Sequence, residues 1–361
     1  MNNNELLSSE KYKLNKQAKL INRNQLIFSI NENKKEAIII GNDSCCHDIL
    51  IPTSIKYENQ EYFITAIKEN SFKDSQQIQS IQFLPDSRLR TIGNDSFAYS
   101  SILSISIPSN VIEIHERAFY RCTKLQFVEI PQNSQLQKIG KEAFAHSSIK
   151  SISIPLNVTR ICEKTFINCK KLKTVEIPRE SKLEIFETDS FAESSIESIF
   201  IPPHLTQICE RSFYCCTKLN SIKIDPETNL QIIENFAFYY SGITSLEIPS
   251  SISELRDGWC AGTLSLNKVK IIPKEKQNIS LFDNDFILGK TNLNSDVFDI
   301  LIFACRNVKT VNIPENIVDI NGSGYHCFAV AKSGNVYGAG YYKNCQLGID
   351  NKHVERSGCI I

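Results

Sequence analysis

The 361-residue sequence has no surplus of either charge: 40 Lys and Arg stand against 40 Asp and Glu. A chain with no net basic surplus has little with which to neutralise a phosphate backbone, so nucleic acid is not an expected partner. Glycine (14) and proline (12) are sparse, and Met and Trp occur once each. Collagen-like and low-complexity classes are excluded on that composition. No apolar run reaches 18 residues. The strongest short run, Val297 to Cys305, contains Asp299 and is too short to cross a bilayer. The N-terminal twenty residues lack an apolar signal core, so no classical export signal is expected, and the Asn-x-Ser/Thr sequons at Asn42, Asn94, Asn157, Asn278 and Asn321 read as chance matches.

Chemistry-bearing motifs are equally scarce. There is no Walker loop, G-x-G-x-x-G, H-E-x-x-H or G-x-S-x-G. The six His are scattered. The 13 Cys include no Cys-x-x-Cys, and Cys45-Cys46-His47 lacks a second ligand cluster at metal spacing. No catalytic, metal or cofactor residue is expected. Hydrophobic residues (42%) and charged residues (22%) are at globular levels, which excludes wholesale disorder.

What the sequence does have is a period. Phe recurs at Phe72, Phe97, Phe119, Phe144, Phe166, Phe191, Phe213 and Phe238, with spacings 25, 22, 25, 22, 25, 22 and 25. Successive pairs sum to 47, so the unit is a 23–24-residue coil in two alternating flavours. Trp259, 21 residues on, reads as a degenerate ninth member. Each unit also carries an Ile-x-Ile-Pro run, at Pro108, Pro131, Pro155, Pro178, Pro202 and Pro249, with a variant at Pro226. Apolar residues two apart predict a short strand, and Pro, unable to donate to a ladder, ends it. The flavours read FAxSSIxSIxIP (Phe97, Phe144, Phe191) and FxxCxKLxxVxIP (Phe119, Phe166). One such unit cannot bury its own apolar face, but stacked units can. The expectation is a β-rich solenoid with one buried Phe per coil, each ring burying roughly 150–250 Å².

The pattern I-x-I-P…I-x-x-x-A/S-F-x-x-C-x-x-L, running from about Ile49 to Ile317, closely resembles the BspA-type leucine-rich repeats of bacterial surface antigens and protist proteins. That resemblance implies a leucine-rich-repeat right-handed superhelix used for protein binding or adhesion. The expected layout is a polar tail (1–24), an N-terminal β cap (25–70), the solenoid (71–274), an irregular insertion with one final repeat-like strand, Val308 to Pro314 (275–318), and a C-terminal segment (319–361). The last segment resembles one repeat of the regulator-of-chromosome-condensation propeller family. His326, Ala329-Val330, Gly334, Val336-Tyr337, Gly340 and Gln346-Leu347-Gly348 carry the likeness, and Ala339 departs from it. A closed propeller needs several blades, so a propeller-type exchange factor is a remote alternative.

Two sets of columns follow from the period. Cys122, Cys169 and Cys216 are 47 apart, as are Cys162 and Cys209. Two coils are about 10 Å, beyond the roughly 7 Å between Cα atoms that a disulfide allows. These Cys read as small buried groups whose thiols donate to backbone carbonyls, with redox or metal roles as the alternative. On the strands, alternate residues point outward. One outward column runs Ser80, Ser104, Phe127, Ser151, Thr174, Ser198, Ser221, Ser245, and the next Gln82, Ser106, Glu129, Ser153, Glu176, Phe200, Lys223, Glu247. This concave sheet is either a solvated surface or a site for a protein or cell-surface ligand. Its candidate residues are Phe127, Phe200, Glu129, Glu176, Lys223 and Glu247. Self-association, from an unfinished C-terminal blade edge, is a second reading. By its sequence alone the chain would be cytoplasmic. By its family resemblance it would be displayed at the surface.

Overall fold

The computed structural model describes residues 19–23, 25–42, 47–256, 258–282, 286–290, 293–294 and 296. Beyond these it describes only the backbone of the strands Ile300–Ala304, Asp319–Ile320, His326–Val330 and Val336–Gly340. The chain forms two compact units, Met1–Pro155 and Leu156–Ile361. Each is a β-solenoid, and the described residues contain no helix.

The first unit opens with six strands: β1 (Lys19–Arg23), β2 (Leu26–Asn31), β3 (Glu36–Asn42), β4 (Asp48–Ile51), β5 (Ser54–Tyr57) and β6 (Gln60–Ile67). β1, β2 and β3 pair antiparallel, β6 lies parallel to β3, and β5 folds back on β6. β1 therefore begins inside the stretch read from sequence as polar tail. Leu20 and Ile21 gave too short an apolar signal, and their partner β2 is what orders them. From β6 a parallel ladder continues through Thr91–Ile92, Glu113–Ile114 and Lys138–Ile139. From β4 a second ladder runs through Ser80–Phe83, Ser104–Ser106, Phe127–Glu129 and Ser151–Ser153. The second ladder holds the Ile-x-Ile-Pro strands. In each of these strands the central Ile or Val is buried and its neighbours face out.

The second unit repeats the plan. Arg160–Ile161, Ile185–Phe186, Gln207–Ile208, Ile232–Ile233 and Glu254–Leu255 form one parallel ladder. Ser198–Ile201 pairs with Ser221–Ile224, and Ser245–Pro249 with Lys268–Ile272. The stretch expected to be an irregular insertion instead carries three antiparallel strands, Ser280–Phe282, Phe286–Gly289 and Ile300–Ala304. Its apolar runs carry Phe282, Phe286 and Phe303 at intervals that do not fit the repeat, so the 24-residue period does not reveal them. Val308 to Pro314, Gly334 and Gln346–Gly348 lie outside the described residues. Of the blade-like segment only the antiparallel pair His326–Val330 and Val336–Gly340 is described.

The third side of each coil is a tight turn around the Phe, and its rings stack. In the first unit Phe72, Phe97, Phe119 and Phe144 lie 4.9, 5.0 and 5.1 Å apart, parallel within 3°. In the second, Phe166, Phe191, Phe213 and Phe238 lie 5.2, 5.3 and 5.2 Å apart. All eight are fully buried. The spacing is close to the strand repeat of about 4.8 Å, because one ring is contributed per coil. The residues two before and two after each Phe take positive φ, from Asn70 and Asp74 to Phe236 and Tyr240. This curls the chain tightly enough that the Phe amide donates to the carbonyl one residue before the Phe of the following coil, as in Phe97 to Ala118 (2.8 Å) and Phe213 to Ala237 (2.8 Å).

That ladder corrects one reading. Phe238 N donates to Trp259 O and Tyr240 N to Ala261 O, and the positive-φ pair is Gly258 and Gly262. Cys260, not Trp259, therefore occupies the Phe slot, and Phe238 to Cys260 restores a spacing of 22. Trp259 stands one place earlier, where other coils carry Ala, Ser or Thr, and meets Phe238 edge-on at 6.5 Å. Gly stands at both flanks, where the other coils carry larger residues. A Cβ at Gly258 would come within 2.6 Å of the Phe236 ring, and one at Gly262 within 2.9 Å of the Tyr240 ring.

Candidate functional site

The outward face of the Ile-x-Ile-Pro strands holds all six candidate residues. In the first unit Phe127 sits opposite Ser104 on one side and Ser151 on the other, and Glu129 sits opposite Ser106. The column continues into the cap, where Asp48 pairs with Ser80 and the two side chains hydrogen-bond at 2.5 Å. Phe127 is 56% exposed, on a strand whose neighbours offer mostly hydroxyls. Lys150 Nζ lies 4.9 Å from its ring centroid, a cation–π contact worth about 0.5–1 kcal/mol at an exposed position. Leu50, in the column of Gln82 and Ser106, is also exposed at 55%. It was missed in the sequence because β4 belongs to the cap and carries no Phe.

In the second unit Phe200 sits directly opposite Lys223, and Ser198 opposite Ser221. Phe200 is half-buried, so it offers less ring than Phe127. Across the strand Phe200 faces Lys223, whereas Phe127 faces Ser104 and Ser151. Glu176 is exposed on Thr174–Glu176. Glu247 faces Lys270 and bonds it at 2.9 Å. Such an exposed pair contributes about 0–1 kcal/mol.

The Phe-turn side is occupied by intramolecular pairing. The positive-φ position before the Phe reads Asp95, Arg117, Glu142 in the first unit, and the Arg117 guanidinium lies within ion-pair distance of both carboxylates, 3.3 Å from Asp95 and 3.9 Å from Glu142. In the second unit Arg211 holds buried Asp189 through two bonds of 2.9 and 2.6 Å. The two-flavour period places opposite charges on successive coils, so this face neutralises itself. Tyr214, Phe236, Tyr239 and Tyr240 cluster nearby, with Tyr214 and Tyr239 stacked at 5.1 Å. Nothing in the Phe period pointed to this cluster.

The thiols are inert by geometry. Cys122 Sγ donates to Phe97 O at 3.0 Å and Cys216 Sγ to Phe191 O at 3.1 Å. Burial pushes both thiols up to about 12. Cys209 is likewise pushed up to about 12, first by burial and then by Glu234 and Glu187. Ser194 stands between Cys169 and Cys216 in the same column, so the two cannot pair. The seven described Cys, Cys122, Cys162, Cys169, Cys209, Cys215, Cys216 and Cys260, are all free. Among the described residues no three His, Cys, Asp or Glu cluster to hold a metal, and no helix is long and apolar enough to cross a membrane. Cys45 and Cys46 lie outside the described residues.

The chain matches the model of the BspA type leucine rich repeat region over residues 40–173, 137–267 and 231–336. No curated protein matches it. Among solved structures, a leucine-rich repeat protein from Bacteroides ovatus aligns with a TM-score of 0.61 and 24% identity, over 70% of this chain and 66% of that one. A leucine rich cell surface protein from Faecalibacterium prausnitzii aligns with a TM-score of 0.47 and 19% identity, over 83% and 65%. The pneumococcal vaccine antigen PcpA aligns with a TM-score of 0.40 and 16% identity, over 70% and 81%. The chain thus spans just under two-thirds of the length of the first two. The Bacteroides structure establishes the fold. No propeller family is among these matches, and the repeat model extends to residue 336, into the stretch read as blade-like.

Proposed function

Because the chain belongs to the BspA-type leucine-rich repeat family, we propose that it is a non-catalytic binding module that takes a protein partner on the outward face of its Ile-x-Ile-Pro strands. The observation that carries this reading is Phe127, a large ring left 56% exposed in a column otherwise made of Ser and an Asp. Burying a ring on a partner recovers apolar area that the solenoid itself leaves in water, and exposed aromatics with few competing contacts are typical anchors. Glu129 flanks Phe127 on the same strand and sets the polar rim. In the second unit Phe200 beside Lys223 is a lesser anchor, with Glu176 and Glu247 as rim charges. Surface display and adhesion are what the family implies for such a face.

The test is capture from cell-surface extracts on immobilised chain, comparing wild type with Phe127→Ser and with the Phe127→Ser, Phe200→Ser double variant. Each anchor should account for about 2 kcal/mol or more, roughly thirtyfold in affinity. Unchanged melting temperatures would show that the fold is intact. Retention of every captured partner by the double variant would overturn the reading. Protease shaving of intact cells tests display.

Self-association is the second reading, and one observation favours it. Among the described residues β4 has a neighbour on one side only, Ser80–Phe83, and its Leu50 is exposed. A bare edge with an apolar side chain is where a second strand adds. Sedimentation across a concentration series separates the two readings.

A further inference from the structure

The outward strands of the second unit form a broken ladder. Ser198–Ile201 pairs with Ser221–Ile224 and Ser245–Pro249 with Lys268–Ile272, but the two pairs do not join, and Thr174–Glu176 joins neither. The opposite ladder runs unbroken from Arg160–Ile161 to Glu254–Leu255, and the rings from Phe166 to Phe238 stack throughout.

The two breaks are not equal. The amide preceding an outward strand donates to its counterpart one coil back, as Asn220 N does to Glu197 O and Asn267 N to Thr244 O, both at 3.1 Å. That bond survives at the first break, Glu197 N to Lys173 O at 3.0 Å, and the Lys173–Glu197 ion pair adds to it at 3.0 Å. At the second break, between Ser221–Ile224 and Ser245–Pro249, Thr244 N makes no such bond. Only its hydroxyl reaches Asn220 O, at 3.4 Å. Glu247 likewise bonds Lys270 within its own pair, not Lys223 across the break.

The sequence supplies the cause. The other outward strands of this unit run straight into Pro178, Pro202, Pro249 and Pro273, whereas Ser221–Ile224 is followed by Asp225 before Pro226. The extra residue is buried. Arg179 Nε, two coils earlier, donates to its carboxylate at 2.8 Å, and its own amide donates to Ile201 O at 3.0 Å. Both anchors hold this corner to the preceding coils, out of step with the corner at Pro249. A side-chain strap crosses back over the break: Lys274 Nζ donates to Pro226 O at 2.6 Å.

Two bonded sides and one unbonded side make parting of the outward strands the easiest deformation of this coil interval. We infer that the second unit hinges here, opening between Ser221–Ile224 and Ser245–Pro249 about the Ile232–Glu254 ladder, with Lys274 as the strap that limits the opening. Phe200 and Lys223 lie on one side of the hinge and Glu247 on the other, so opening changes their spacing. The inference does not rest on what that face binds.

Residue-resolved hydrogen exchange of the full chain tests it. Gly242 N, bonded to Cys216 O at 3.2 Å, and Ser253 N, bonded to Gln231 O at 2.9 Å, flank the break. Gln231 N, bonded to Thr206 O at 2.9 Å, holds the position of Ser253 one coil earlier, beside paired strands. Protection at Gly242 and Ser253 should be about tenfold or more below that at Gln231, and nearly independent of low denaturant, as local opening requires. Lys274→Ala should lower it about fivefold further, the loss of one net hydrogen bond, and leave Gln231 and Asn220 unchanged. Equal protection at Ser253 and Gln231 would overturn the hinge. So would a Lys274→Ala effect spread evenly over all four amides, since that is global destabilisation. If the variant fails to fold, the wild-type comparison decides.

Discussion

Trp259 and Cys260 together replace the Ala-Phe pair that other coils carry, as at Ala118-Phe119, Ala143-Phe144 and Ala237-Phe238. Trp259 is buried from the Ala position and meets Phe238 edge-on at 6.5 Å, so a ring introduced at position 260 would compete with the indole for the space against Phe238. Trp259→Ala alone should cost about 3–5 kcal/mol, since it empties a side chain that is buried edge-on against Phe238. Cys260→Phe alone forces a ring into a site the indole already holds and should cost about 1–3 kcal/mol. Independent effects would add to about 4–8 kcal/mol. The double variant instead rebuilds the spine one coil further, with a new ring about 5 Å from Phe238, and Gly258 and Gly262 already supply the turn. It should lie within about 2 kcal/mol of wild type, a coupling of at least about 2 kcal/mol. Urea titration followed by circular dichroism measures this. Fluorescence cannot, because Trp259 is the only Trp. Additive losses would refute the register, and the ninth ring position would have to be assigned again.

Three further outcomes follow from the same geometry. Phe119→Ala and Phe191→Ala, each removing a ring stacked on both sides, should each cost about 3–5 kcal/mol in denaturant titration; a loss below about 1 kcal/mol would contradict the spine. Cys122 and Cys216, buried and with thiols pushed up to about 12, should resist iodoacetamide in the native protein at pH 8 and react fully on unfolding without reductant, as mass spectrometry would show. Asp225, held below its ordinary value of 3.8 chiefly by its hydrogen bonds from Arg179, contributes stability that is present above pH 3.8 and lost as pH falls through the lower folded value. Arg179→Gln should therefore flatten the acid limb of the stability curve, and an unchanged limb would count against the pairing.

The coil and its core were determined by the sequence alone. A Phe every 25 and 22 residues, with Ile-x-Ile-Pro between, leaves each unit with more apolar surface than it can bury, and stacking is the only way to cover it. The alternation of inward and outward residues on the strands follows from the two-residue period, so the outward orientation of all six candidate positions was legible there. Tertiary structure alone decided how much of each was exposed. Phe127 and Phe200 read alike in the sequence, yet the residue across the strand is Ser for one and Lys for the other, and only the latter ring is half-buried. The positive-φ turns were illegible for a similar reason. Arg117, Lys164, Glu193 and Tyr240 have no intrinsic liking for that region, and they adopt it because the ring stack and the amide ladder over-determine the turn. The same ladder moved the ninth position from Trp259 to Cys260. A residue-type match chose the larger aromatic, whereas backbone hydrogen bonds count residues regardless of what their side chains are.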